Sequence, residues 1–127
     1  MAELNETGCK TFEADEAISQ YARVKLDADG KVTNAGLADK EIGTAAREAF
    51  AAGDKISVRL RSAAGTHKMI AQEALAAGAT VYTEASGKVQ DTAQATAFQV
   101  GTALEAATAD GDIIEVLYNN HGDTAAV

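Results

Sequence analysis

The chain has 127 residues, a net charge of −8 and one cysteine; 46% of its residues are hydrophobic, with three tyrosines, three phenylalanines and neither tryptophan nor proline. That length suits one domain, or two half-domains sharing a core, and is short for two separate cores. The acidity argues against nucleic acid, whose affinity rests on lysine and arginine neutralising phosphates, a lone cysteine forms no internal disulfide, and no apolar run is long enough for a membrane-spanning helix.

In chain order, residues 1–11 read as a polar arm containing the free thiol Cys9, without the basic and apolar regions of a secretory signal, so synthesis in the cytosol is expected. EADEAISQ (13–20) sets acids at its start and Ala14, Ala17, Ile18 and Tyr21 at helical spacing, which predicts a short helix. ARVKL (22–26) alternates like a strand, DADG (27–30) turns, and KVT (31–33) returns. EIGTAAREA (41–49) reads as a glycine-containing strand, FAAGD as a turn, and KISVRLR (55–61) as a strand with Ile56, Val58 and Leu60 on one face and Lys55, Ser57, Arg59 and Arg61 on the other. After SAAG, the run THKMIAQEALAAG (66–78) carries Met69, Ile70, Glu73, Ala74 and Ala77 at three and four residue spacings and stops at Gly78, predicting a second short helix. The strands ATVYT (79–83), KVQD (88–91), FQVGTALEA (98–106) and IIEVLY (113–118) follow, and NNHGDTAAV (119–127) is a polar tail.

The chain is also written twice. Residues 18–60 reappear loosely as 75–118, matching Val24/Val81, Gly30/Gly87, Lys31/Lys88 and Val32/Val89, then, with one residue gained, Gly43/Gly101, Thr44/Thr102, Gly53/Gly111, Asp54/Asp112, Ile56/Ile114 and Val58/Val116. What recurs is glycine, small residues and apolar alternation, the grammar of turns and strands. The expected fold is therefore mainly β: a small antiparallel β-barrel or β-sandwich made of two pseudo-repeats (18–60 and 75–118) within one domain at 12–118, with one or two short helices.

Reactive chemistry is sparse. Asp27, Asp29 and Gly30 match the opening of a calcium loop, but Ala38 stands where the closing glutamate belongs, and the second copy has Glu84, Ser86 and Gly87. A hairpin turn needing positive φ explains both copies. His67 and His121 lack the spacing partners of a zinc site. Ser62, His67 and Glu73 can be drawn as a hydrolytic triad, yet Ser62 has no nucleophile elbow around it, and SAAGTHK (62–68) is not a phosphate loop. The reading expects no catalytic residue, no cofactor and no metal. Arg59, Arg61 and Lys68 form the one local basic cluster, a solvated face or a contact for an acidic partner.

Gly53-Asp54 before an alternating strand, Val81-Tyr82 entering a turn that ends Gly87-Lys88-Val89, and the strand Gly101 to Ala106 leading into the last one resemble the capsid cement or head decoration proteins of tailed bacteriophages. The resemblance spans residues 17–118 and departs from the pattern at Gly78-Ala79 and at Asn119-Asn120-His121. It implies a non-enzymatic virion protein, a homotrimer bound to the major capsid protein on the outer surface of an expanded head at local three-fold positions, with no nucleic acid or membrane partner. A surface-displayed carbohydrate- or host-binding β-barrel is the second reading, disfavoured by the scarcity of aromatic side chains.

Overall fold

The computed structural model describes residues 7–118. It is built almost wholly of strands: β1 (Cys9–Glu13), β2 (Arg23–Leu26), β3 (Val32–Asn34), β4 (Gly43–Ala45), β5 (Lys55–Leu60), β6 (His67–Ile70), β7 (Thr80–Thr83), β8 (Val89–Gln90), β9 (Gln99–Ala103) and β10 (Ile113–Tyr118). They form two antiparallel five-stranded sheets of identical topology, β1-β5-β4-β2-β3 and β6-β10-β9-β7-β8. Each sheet curls until its ends meet. Ala14, just past β1, makes a parallel bridge to Val32 at the start of β3, and Ala71 makes the same bridge to Val89.

The mainly β expectation holds, and both expected helices are corrected. Residues 13–20 bend at 15–16 between the bridges at Ala14 and Ile18, with the Asp15 amide donating to the Val32 carbonyl and the Ile18 amide to Ala49. Residues 66–78 begin as β6 and repeat that pattern, Gln72 donating to Val89 and Leu75 to Ala107. In the first segment Ala14 and Ile18, two of the residues that suggested a helix, are bridging residues of a curled sheet; in the second, Met69 and Ile70 belong to β6, and Ala71 and Leu75 make the bridges. A helix this short is marginal, and amides committed to neighbouring strands are lost to it. The one helical element among the described residues is a 3₁₀ turn at Ala85–Gly87.

Residues 9–11, assigned to the arm, are instead strand: Cys9 pairs with Arg59, Lys10 with Val58 and Thr11 with Ser57. Residues 1–6 of the arm and the tail at 119–127, including His121, lie outside the described residues. The structural repeat thus begins at β1 and β6, earlier than residues 18 and 75.

Two motif positions have clear structural causes. A Cβ on Gly43 would lie 2.1 Å from the Arg59 carbonyl oxygen, and one on Gly101 2.0 Å from that of Leu117, so only glycine lets β4 and β9 approach their neighbours. In the Gly-Asp turns, Asp54 accepts from the Phe50 and Ala51 amides at 2.8 and 3.2 Å, and Asp112 from the Thr108 and Ala109 amides at 2.7 and 3.2 Å. These donors hold the Asp112 carboxyl below its ordinary pKa.

The core is not shared. One cluster, with Ile18, Val24, Val32, Ile56 and Val58, lies inside the first sheet, and another, with Met69, Val81, Val89, Ile114 and Val116, inside the second. Alanine and valine suffice because each sheet wraps around its own small interior. Ile70 of the second repeat packs into the first cluster and ties the two together.

Candidate functional site

The seam between the repeats contains charge that alternation alone would place in water. Arg23 on β2 is fully buried. Its guanidinium donates to the Lys88 carbonyl at 2.9 Å and the Glu84 carbonyl at 2.6 Å, both in the second repeat's hairpin, and to Gly36 at 3.3 Å. Its Nη1 meets Glu41 Oε1 at 3.1 Å. The other oxygen of the buried Glu41 accepts from the Tyr118 hydroxyl at 2.9 Å. Burial raises the Tyr118 pKa well above its ordinary value and the Glu41 charge adds to this, so the hydroxyl keeps its proton and donates.

Around this network, Gly87 donates from its amide to Ala35 at 2.8 Å, and the Thr83 hydroxyl donates to the Leu37 carbonyl at 2.5 Å. Gly87 (φ 73°) is packed against the first repeat, where an added Cβ would lie 2.9 Å from the Ala22 Cβ, whereas its counterpart Gly30 (φ 80°) faces open space. Partners on both sides satisfy the buried charges, and the repeats are locked in one relative pose.

A cleft of about 490 Å³ opens beside the seam, lined by Tyr21, Thr44, Ala46 and Arg59 of the first repeat and Thr66, Lys68, Glu105 and Glu115 of the second. Arg59 donates to the Thr66 carbonyl at 3.3 Å and the Ala64 carbonyl at 2.6 Å. The Lys68 ammonium stands 5.5 Å from the centre of the Tyr21 ring. Of the basic cluster read from the sequence, Arg59 and Lys68 meet here, while Arg61 lies outside the cleft, 5.5 Å over the Tyr118 ring.

The other residues singled out by sequence stay apart. Asp27 accepts from the Asp29 and Lys31 amides of its own turn at 2.9 and 3.0 Å, and the Lys31 amide is the main cause of its lowered pKa. Glu84 caps the 3₁₀ turn by accepting from Ala85 at 2.8 Å. Among the described residues, no three His, Cys, Asp or Glu side chains are grouped as metal ligands. His67 is buried, with Nε2 2.9 Å from the Leu60 carbonyl and the ring edge-on to Tyr118 at 4.6 Å. Ser62 is exposed, and the Glu73 carboxyl is hydrogen-bonded to Asp91, which raises its pKa, so the paper triad is not assembled.

Sequence reasoning missed Arg23, Glu41 and Tyr118. The signal was in the repeat itself. Arg23 stands where the second copy has Thr80, and Tyr118 where the first has Leu60. A polarity switch at a strand position marks a place where the halves meet different surroundings.

The profile of the phage cement protein family matches residues 51–118, more than half of the chain. The chain belongs to that family. Membership makes this a structural, capsid-associated phage protein. No curated protein matches the sequence. Among solved structures, the N base of head fibre gp8.5 of bacteriophage phi29 superposes with a TM-score of 0.72 at 18% identity, over 87% of this chain and 92% of that one. At that identity the likeness is one of fold. The family match begins in the Gly53-Asp54 turn region and runs through the whole second repeat, the seam partners Glu84, Lys88 and Tyr118 included.

Proposed function

We propose that this cement-family protein is a non-enzymatic decoration protein that seats as a homotrimer on the outer surface of an expanded head, at local three-fold positions, and holds neighbouring capsid subunits together. The observation that carries the reading is the family match over residues 51–118. The molecule's surface supports it. Ile113 and Leu117 on the outward face of β10 are 44% and 46% exposed, and Leu104 beside them 45%. Three large apolar side chains on one wet sheet face suit a surface covered in an assembly. On a shell of many copies, modest contacts add up by avidity without a deep pocket.

The segment before Thr7 is proposed to add a strand to an edge of the capsid protein. Because Cys9–Thr11 pair with β5, the truncation that tests this removes residues 2–6 and leaves β1 whole.

Co-sedimentation with compact and with expanded heads tests the main proposal. Saturable binding to expanded heads alone, in multiples of three per site, is the expected result. Absence of binding to either form removes it.

A further inference from the structure

The inter-repeat cleft has the composition of a ligand site, and that composition indicates which ligand. Four ionised side chains line it, Arg59 and Lys68 against Glu105 and Glu115, so their charges cancel. Each keeps hydrogen-bonding capacity among the described residues. Arg59 uses Nε and Nη2 on the Thr66 and Ala64 carbonyls, which among the described residues leaves Nη1. Glu115 accepts the Thr66 hydroxyl on Oε2, and Glu105 accepts the Glu115 amide on Oε1, which among the described residues leaves one oxygen on each carboxylate. Lys68 makes no ion pair among the described residues and rests near the Tyr21 ring.

Tyr21 adds an independent observation. Its φ is 72°, in the left-handed region that side chains avoid, and the equivalent residue of the second repeat is Gly78 at φ 88°. The second repeat makes the same turn with glycine and without strain. In the first repeat the turn bears a tyrosine whose ring forms a wall of the cleft and also packs on the first core cluster.

An anion in this cleft would meet two carboxylates, and a cation two bases. A neutral polyhydroxylated molecule uses everything present, since each hydroxyl both donates to a carboxylate and accepts from Arg59 or Lys68, while its C–H face packs on Tyr21 and Ala46. The volume of about 490 Å³ lies within the range of small-molecule sites. We infer that the inter-repeat cleft, walled by Tyr21 and rimmed by Arg59, Lys68, Glu105 and Glu115, binds a neutral saccharide. Glu115 stands between Ile113 and Leu117 on β10, so the cleft borders the apolar face, and sugar binding is measured on the protein without heads.

The test titrates the full chain with glucose, galactose, N-acetylglucosamine, maltose and cellobiose, with sialic acid as a charged control, read by saturation-transfer NMR and calorimetry. At least one neutral sugar is expected to bind saturably, with a Kd of about 1 mM, a weak affinity suited to a many-copy display. Tyr21→Gly, whose backbone suits glycine, and Lys68→Met, an exposed change that leaves the core intact, are each expected to weaken it about tenfold or more. The inference is overturned if no sugar binds, if sialic acid alone binds, or if a bound sugar is unaffected by Lys68→Met. Co-sedimentation of the same variants with expanded heads separates the two readings: a variant that loses head binding in a protein that binds no sugar makes the cleft a capsid contact instead.

Discussion

The two repeats share a frame and differ in what they do with it. Their bridges coincide, Ala14–Val32 with Ala71–Val89 and Ile18–Ala49 with Leu75–Ala107. Their outward strand faces do not: Lys55, Ser57 and Arg59 on β5 become Ile113, Glu115 and Leu117 on β10. The hairpin glycine is free in the first copy and clamped against the partner repeat in the second. A small curled sheet is thus set by a handful of glycines and apolar positions, and every other position is available for joining the halves or for display.

The sharpest way to break this comparison is at the seam. Arg23→Ala should destabilise the protein by about 3–5 kcal/mol, because it leaves Glu41 buried without its counter-charge, while Thr80→Ala at the equivalent position should cost about 1 kcal/mol or less. Urea unfolding of both variants measures the difference; equal losses would mean that the seam contributes nothing of its own.

Gly43→Ala and Gly101→Ala should each cost about 2–3 kcal/mol, since the new Cβ must push two strands apart. Thermal melts of the pair test the shared frame, and a large inequality would show that the two sheets are not equivalent where they look most alike.

Transplanting the first face onto the second, by Ile113→Lys with Leu117→Arg, should leave stability within about 0.5 kcal/mol. The same change should weaken binding to expanded heads about tenfold or more. Co-sedimentation decides, and undiminished binding would move the contact elsewhere.

The smallest effect concerns His67, which has no counterpart in the first repeat, where Lys10 is its equivalent. Burial lowers its pKa below 6.5. The unfolded chain therefore takes up the proton first on acidification. The stability that comes from holding His67 neutral is complete above about pH 6.5 and declines as pH falls toward the folded-state value. Stability–pH curves of the wild type and His67→Gln should diverge in slope below pH 6.5 and run parallel above it; parallel curves throughout would remove His67 from the acid response.

Much of the frame was readable. Strands β2, β5, β7 and β10 lie where alternation placed them, within a residue. The strand expected at 41–49 shortens to Gly43–Ala45, because the chain leaves the sheet to bridge Ala49 back to Ile18. The first false helix arose because a chain curling around a narrow core buries Ala14 and Ile18 four residues apart, the interval that a helix face also shows, and the second because Met69 and Ile70, counted toward a helix, are the end of β6. Extending the repeat upstream would have paired these segments, with Ala14/Ala71, Glu16/Glu73 and Ala17/Ala74 in register. The cleft was half legible. Arg59 and Lys68 stood out as a cluster, but Glu105, Glu115 and Tyr21 reach it only through the docking of one sheet on the other.

By itself the sequence determined the twofold repeat, the glycines that turns and close strand approaches require, the apolar alternation that makes strands, and the kinship those elements carry. All of these are local or periodic, and the chemistry of each residue expresses them without reference to distant partners. The tertiary structure alone decided that each repeat closes on its own core, that Arg23 and Glu41 are buried against the other half, and that charges from both repeats line one cleft. Those outcomes depend on which surfaces meet between segments distant in the chain, as when Arg23 reaches Glu84 and Lys88. A lysine or arginine in an alternating strand reads the same whether its outward face meets water or a second sheet.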